Sequence, residues 1–239
     1  MARTIAQQTE EQLGGADSVL ARQRRDHREM TRLMDLYRRT APGEDAERAL
    51  KDVVQLVFSH AFAEESVLWP AVRRSVPDGE ELTSRVEEEH QQINDLVADI
   101  ERLAPGSPER EDRIARAFAL IEEDIRDEED LLLPRLQEAV DTAAQRRLGA
   151  AWEAVRRTAP THPHPVIPRR PPGNAVAGVP LSVYDRTRDA LGISPSAPPW
   201  KALAVPGALL AAVVLAAAWR RRHQTVSGSS SRSSHDRAA

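Results

Sequence analysis

The chain has 239 residues, a formal net charge of −4 and no cysteine, which excludes disulfides, zinc–thiolate sites, iron–sulfur clusters and thiol catalysis. Charge and proline divide it near residue 159: residues 1–158 hold 34 acidic and 23 basic side chains with 6 prolines, whereas residues 159–239 hold 3 and 10 with 11 prolines. An acidic head argues against nucleic acid as a partner, and a basic tail suits anionic lipid.

Residues 1–15 are polar, end in Gly14-Gly15 and contain no apolar run that would serve as a secretory signal, so they are expected to form a flexible lead-in. From Ala16 to Arg39, Leu20, His27, Met30, Met34 and Tyr37 recur at helical spacing along one side. Pro42-Gly43 ends that helix. A second helix is expected from Glu44 to Arg74 with Val53, Leu56, His60, Glu64 and Val67 inward, and Pro70 predicts a kink or an early stop. After Pro77-Asp78-Gly79 a third helix runs from Glu80 to Leu103, with Val86, His90, Ile93, Val97 and Ile100 on its apolar stripe. Pro105-Gly106-Ser107-Pro108 breaks the chain again, with Ser107 placed to cap the next helix. That fourth helix covers Pro108 to Leu133 with Ile114, Ala117, Ile121, Glu128 and Leu131 on one face, and a fifth from Asp141 to Arg157 buries Leu148, Trp152 and Val155. Strand signals are absent from residues 1–158. Four long helices joined by short turns predict an all-α head over residues 16–158, an antiparallel up-down-up-down four-helix bundle with a fifth helix.

The candidate chemistry lies in an internal repeat. His60-Ala61-Phe62-Ala63-Glu64-Glu65-Ser66-Val67-Leu68-Trp69-Pro70 is echoed 64 residues later by Asp124-Ile125-Arg126-Asp127-Glu128-Glu129-Asp130-Leu131-Leu132-Leu133-Pro134. Residues four apart share one helix face, so His60 with Glu64, and Asp124 with Glu128, each point two donors into one interior. Imidazole mixed with carboxylate suits iron or another transition metal, whereas oxygen donors alone would suit magnesium or calcium. A charged face with a chance histidine explains one copy alone; two copies in register do not read that way.

Antiparallel neighbours meet at levels set by their distance from the shared turn. His27 lies 15 residues before Pro42 and His60 17 after Gly43; His90 lies 15 before Pro105 and Asp124 16 after Pro108. The His60–His90 pair matches worst, at 17 residues before Pro77 and 11 after Gly79. At about 1.5 Å per residue, His27, His60, Glu64, His90, Asp124 and Glu128 fall near one layer of the bundle. Carboxylates buried there without a cation would be strongly disfavoured. Glu87-Glu88-Glu89-His90 contains the Glu-x-x-His spacing of ferritin-like di-iron bundles, but no second copy exists. Nucleophilic triads, phosphate-binding Gly loops and dinucleotide fingerprints are missing.

With those residues in view, the chain resembles the hemerythrin-like, or HHE cation-binding, domain. That pattern is a His on helix one, His-x-x-x-Glu on helix two, a His on helix three and His-x-x-x-Glu on helix four; His27, His60 with Glu64, His90 and Glu128 match it. The resemblance covers residues 16–157 and implies an oxo- or hydroxo-bridged non-haem di-iron site, with Glu64 and Glu128 as bridging carboxylates. It further implies a small diatomic or peroxide ligand: dioxygen, peroxide or nitric oxide. The departure is Asp124, where the pattern expects His. A shorter, harder, anionic donor favours oxidised iron and leaves open the loss of one of the two metals. Asn94, not a second His, follows His90 by one turn. Three candidate imidazoles in place of the oxygen carriers' five point away from reversible transport, towards oxidant chemistry, towards a non-catalytic iron or oxygen sensor whose bundle loosens without metal, or towards a structural bundle with a degenerate site.

Residues 159–201 read as a Pro-rich linker, similar to the extension carried by many actinobacterial members of that family. His162 and His164 in it are expected to be a loop coincidence rather than a metal site. Ala202 to Trp219 is 18 residues without a charge, flanked by Trp200 and Trp219 and followed by Arg220-Arg221-Arg222. Such a run is just long enough to cross a bilayer, and its anchors suit a single-pass transmembrane helix. The Arg triplet favours placing the head outside, yet no export signal precedes it; the expectation is a cytoplasmic head on a tail anchor. Residues 220–239 form a basic, Ser-rich tail expected to be disordered. The full chain should therefore sediment with membranes and resist carbonate extraction, while a chain ending at Pro199 stays in the supernatant; a shortened chain that still sediments would remove the anchor from residues 202–219.

Overall fold

The computed structural model describes residues 3–157 and 159 of the chain. The Pro-rich linker with His162 and His164, the expected transmembrane run Ala202 to Trp219 and the Ser-rich tail lie outside the described residues. Among the described residues no helix is long and apolar enough to cross a membrane, and no strand occurs.

The long helices begin where capping chemistry allows. α1 (Val19–Arg39) starts after Ser18, whose hydroxyl accepts from the Ala21 N–H. α2 (Glu44–Ala63) follows Gly43, and its first turn is acidic, matching the positive end of the helix dipole. α3 (Trp69–Ser75), α4 (Gly79–Ile100) and α5 (Pro108–Asp127) come next. Ser107 caps α5 through the Arg110 N–H, with Pro108 in the first turn where a missing N–H costs nothing. α6 (Leu133–Ala139) and α7 (Thr142–Arg156) complete the head, α7 capped by Asp141.

The α-helix before Pro70 does stop early, at Ala63, and the one before Pro134 stops in the same way, at Asp127. Each proline is preceded by one π-helical turn, Glu64–Leu68 and Glu128–Leu132, and sits in the first turn of the α-helix that follows. Proline removes one N–H and its ring crowds the carbonyl four residues back; a wider turn accommodates both, and such turns concentrate at functional sites. The extra residue advances everything after it around the axis. Leu131, expected on the inner face, is therefore 44% exposed, and Leu132 and Leu133 are buried in its place.

The apolar core is divided in two. One cluster gathers Leu20, Ala63, Leu68, Trp69, Val86, Leu132, Leu133 and Trp152; the other gathers Met34, Leu50, Val53, Ile93, Phe118 and Ile121. On every long helix the boundary between the clusters falls at a polar residue. His27 separates Ala21 from Met30, His60 separates Val57 from Ala63, His90 separates Val86 from Ile93, and Asp124 with Glu128 separates Ile121 from Leu132. The bundle is thus apolar at both ends and polar across one internal layer.

α7 covers that layer from one side. Gly149 lies so close to the Asp17–Val19 backbone that a Cβ would clash with it, which seats α7 against the start of α1. Trp152 is buried beneath it.

The first fifteen residues are not a frayed lead-in where they are described. Ile5 and Leu13 are completely buried, in the cluster that holds Leu20 and Trp152. Positive φ angles of 90° and 97° at Gly14 and Gly15 turn the chain back into α1, and Arg24 donates to the Gln8 carbonyl. Two isolated apolar residues in a polar stretch give no periodic signal, so only the tertiary structure reveals them. Leu13→Ala should cost about 2–5 kcal/mol in an unfolding titration; a loss within about 0.5 kcal/mol, as for a surface site, would return this segment to a loose tail.

Candidate metal centre

The layer between the two cores holds His27 from α1, His60 from α2, His90 from α4 and Asp124 from α5. Glu64 and Glu128 come from the first positions of the two π turns. All six are buried, Glu64 and Glu128 completely. Two overlapping groups form: donor atoms of His27, His60, Glu64 and Glu128 lie within 4.8 Å of one another, as do those of His90, Asp124 and Glu128. Every residue picked out from the sequence is brought to this one layer, including the poorly matched His60–His90 pair, whose excess length is absorbed in the interrupted helix between them.

The two glutamates reach across both halves. Glu64 Oε1 lies 2.9 Å from His60 Nε2, and its Oε2 lies 3.6 Å from His90 Nε2. Glu128 Oε2 lies 3.1 Å from His27 Nε2, and the residue is common to both groups. His90 Nε2 is 3.6 Å from Asp124 Oδ2. These contacts are close but not aligned as hydrogen bonds: both oxygens of Glu64 and of Glu128, and Oδ1 of Asp124, are buried without a hydrogen-bonding partner.

Behind each imidazole stands a second carboxylate. His27 Nδ1 is 2.9 Å from Glu129 Oε1, His60 Nδ1 is 3.4 Å from Asp26 Oδ2, and His90 Nδ1 is 3.0 Å from Glu65 Oε1. A carboxylate there accepts from Nδ1–H, which fixes the tautomer and leaves the Nε2 lone pair directed inwards. Histidines that bind metals are held in this way. The Nε2 atoms of His27 and His60 then face each other at 3.2 Å, a repulsive meeting of lone pairs unless a cation or a proton lies between them.

The electrostatics of the metal-free layer express the same demand. Burial opposes protonation of His27, but the close Glu128 carboxylate and the hydrogen-bonded Glu129 outweigh it and lift the imidazole to about 10. His60 rises against burial to about 9, chiefly through Glu64 and Asp26. Glu64 behaves oppositely: burial would raise it, yet its contacts with His60, His90 and His27 bring it below the ordinary carboxylate range. Glu128 is pushed up to about 8 by burial, then by Glu64 and Asp124. Protons supply the positive charge that this layer requires.

The fit to a metal is therefore good by chemistry and by arrangement, with a nitrogen-rich half at His27 and His60 and an oxygen-rich half at His90 and Asp124. The two halves are related by the internal repeat. Asp26 backs His60, whereas its counterpart Glu89, also one residue before a layer histidine, pairs with Arg85 and feels the charge of Asp124. Burial and the Asp124 charge raise the Glu89 carboxyl.

Each half also has an aromatic wall. Trp152 meets His60 edge-on with ring centroids 5.5 Å apart, and Trp69 stacks near His90 at 6.5 Å. Arg156 lies over the Trp152 ring and 3.7 Å from Asp26, so α7 supports the His60 side from outside.

Residues 18–136 match the hemerythrin HHE cation-binding domain. The chain belongs to the hemerythrin-like family. A hemerythrin-like protein of Schizosaccharomyces pombe is 23% identical over 171 residues, covering 70% of this chain and 83% of that protein. A DNA nickase of a Nostoc species is 22% identical over 133 residues, 56% of this chain but 37% of that protein. No solved structure matches the chain significantly. Among family members the HHE residues are the expected ones; the three supporting carboxylates Asp26, Glu65 and Glu129 and the two tryptophans emerge only from the folded chain. The doubled acid in Glu64-Glu65 and Glu128-Glu129 was the available signal.

Proton retention fixes the pH response of the metal-free protein. A group whose pKa is raised in the folded state binds its proton more tightly there than when unfolded, so its contribution to stability is full below the unfolded value and lost as pH rises through the folded one. For His27 and His60 that window runs from about 6.5 to about 10 and 9, and for Glu128 from 4.5 to about 8. Glu64, shifted downwards, acts below 4.5 and outside this range. The melting temperature of metal-free protein should therefore fall steadily from pH 6.5 to 10. Metal loading should flatten that fall, because metal replaces the protons. A flat metal-free profile would show that the layer does not hold them.

Proposed function

We propose that this hemerythrin-like protein binds two iron ions in its internal layer and reacts there with a small oxidant: dioxygen, peroxide or nitric oxide. The observation that carries the reading is the set of orphaned oxygens on Glu64 and Glu128 between three inward-facing Nε2 atoms. Unpaired buried carboxylates cost several kcal/mol each, roughly, in a folded protein, and an ion at this position offsets that cost. Iron would supply the redox change and the positions at which a small ligand binds. The protein's part is to hold and to shield. Glu64 and Glu128 each span both halves, Glu65, Asp26 and Glu129 keep the imidazoles aligned, and Trp69, Trp152 and α7 exclude water. With Asp124 the second half is harder and more anionic, which favours oxidised iron over the reversible cycling of a carrier.

We propose that residues 202–219 tether the head to a membrane, on the strength of their uncharged composition and flanking tryptophans; the cytoplasmic side is our reading for the head, against the preference of the Arg triplet that follows. A non-catalytic sensor of iron or oxygen is the second reading; it is favoured by the dependence of the buried layer on a cation, since loss of metal leaves the carboxylates uncompensated.

The experiment is metal analysis after aerobic reconstitution with iron. About two irons per chain are expected, and His60→Ala, Glu64→Ala and Glu128→Ala should each lower that content strongly while His162→Ala leaves it unchanged. No bound iron, or equal losses in all four variants, would remove the centre from this layer. Turnover of peroxide or nitric oxide above that of free iron then separates an enzyme from a sensor.

A further inference from the structure

The face of α4 that carries His90 continues one turn later with Asn94. Its side chain is 1% exposed, and neither Oδ1 nor Nδ2 has a hydrogen-bonding partner. An amide left buried and unpaired weakens a fold, and an apolar residue of the same shape does not carry that cost. Packing alone therefore gives no reason for asparagine at this position.

Gln23 offers a comparison. It too is buried with both amide atoms unpaired, on α1 one turn before His27. The two amides differ in direction. Side chains on an α-helix lean towards its N-terminus, so Gln23 leans away from the level of His27 whereas Asn94 leans back towards the level of His90. By register, Asn94 is the orphan amide set towards the polar layer, on the helix that carries His90, the one imidazole of its half.

Its neighbours on α4, Ile93 and Val97, face apolar surroundings. A small cavity is lined by Val57, Ile93, Val97, Ala117, Phe118 and Ile121. Val57 and Ile121 lie three residues before His60 and Asp124, so the cavity lies about one helical turn from the polar layer. A lone N–H donor in such a setting interacts more strongly with a charged acceptor than it would in water.

We infer that Asn94 is a ligand-recognition residue: its Nδ2–H donates a hydrogen bond to a small anion bound in the His90–Asp124 half. The inference rests on the metal reading above and deepens it by assigning the incoming ligand to one half and to one donor.

The test uses the full chain loaded with iron, azide as the probe, and Asn94→Leu, Asn94→Ala and Gln23→Leu as variants. Iron content should be the same in all four proteins. Azide affinity, read by optical titration, should fall about tenfold or more in both Asn94 variants, the loss of a hydrogen bond to a charged group, and stay at the parent value in Gln23→Leu. In the metal-free state Asn94→Leu should melt at or above the parent temperature, which a structural role would not permit. Unchanged azide affinity in the Asn94 variants overturns the assignment, as does an equal loss in Gln23→Leu. Loss of iron from the Asn94 variants overturns it by making the amide part of the metal's own support. A parent that holds iron but no azide overturns the inference alone; a parent without iron overturns the metal reading with it.

Discussion

Two glutamates set the terms for the rest of the head. Glu64 and Glu128 are completely buried and lack hydrogen bonds, in a layer bounded above and below by apolar core. They are shut off from bulk solvent, and their charge contacts among the described residues are with histidines. The compensation is built from imidazoles facing inwards, and each imidazole is aligned by another carboxylate behind it. The layer thereby concentrates negative charge around a few exchangeable positive sites. Its proton affinity and its suitability for a metal are one property seen under two conditions.

The π turns make this concentration geometrically feasible. In a regular α-helix, adjacent residues point about 100° apart, and two successive acids cannot both serve one interior. At Glu64-Glu65 and Glu128-Glu129 the wider turn buries or half-buries both members. The first enters the centre, and the second supports a histidine on a different helix. Proline six residues beyond the first acid makes the wide turn favourable at little cost, because Pro70 and Pro134 fall where the next helix begins. The same insertion explains why Leu132 and Leu133 rather than Leu131 fill the core.

Much of this arrangement was legible in the residues. Apolar periodicity placed the starts of the long helices to within a few residues but ran the second and fourth through their π turns, to Arg74 and Leu133 in place of Ala63 and Asp127. Ser107 marked a cap, and the 64-residue echo together with turn counting brought six donors to one level. Turn-to-residue counting matched two of the three neighbouring pairs, His27 with His60 and His90 with Asp124. It worked least for His60 and His90, where the interrupted helix intervenes. What escaped the sequence was contact between distant segments. Asp26, Glu65 and Glu129 look like ordinary surface acids until a histidine from another helix lies behind them, and Ile5 and Leu13 show no period at all. Asn94 was visible as a missing histidine, but its unpaired burial belongs to the folded chain.

The donors at positions 27, 60, 64, 90, 124 and 128 come from four separate helices, and the segments between them are each about thirty residues long. An ion bound by them acts as a knot drawn through four strands of rope: it closes several long loops of chain at once. Closing such loops removes freedom mainly from the unfolded chain, and the entropy depends only weakly on loop length. A single binding event therefore tightens the whole head nearly equally, rather than the few residues that touch the ion. Cation supply and mechanical integrity would be coupled in this fold by chain topology, independent of whatever chemistry a bound metal performs.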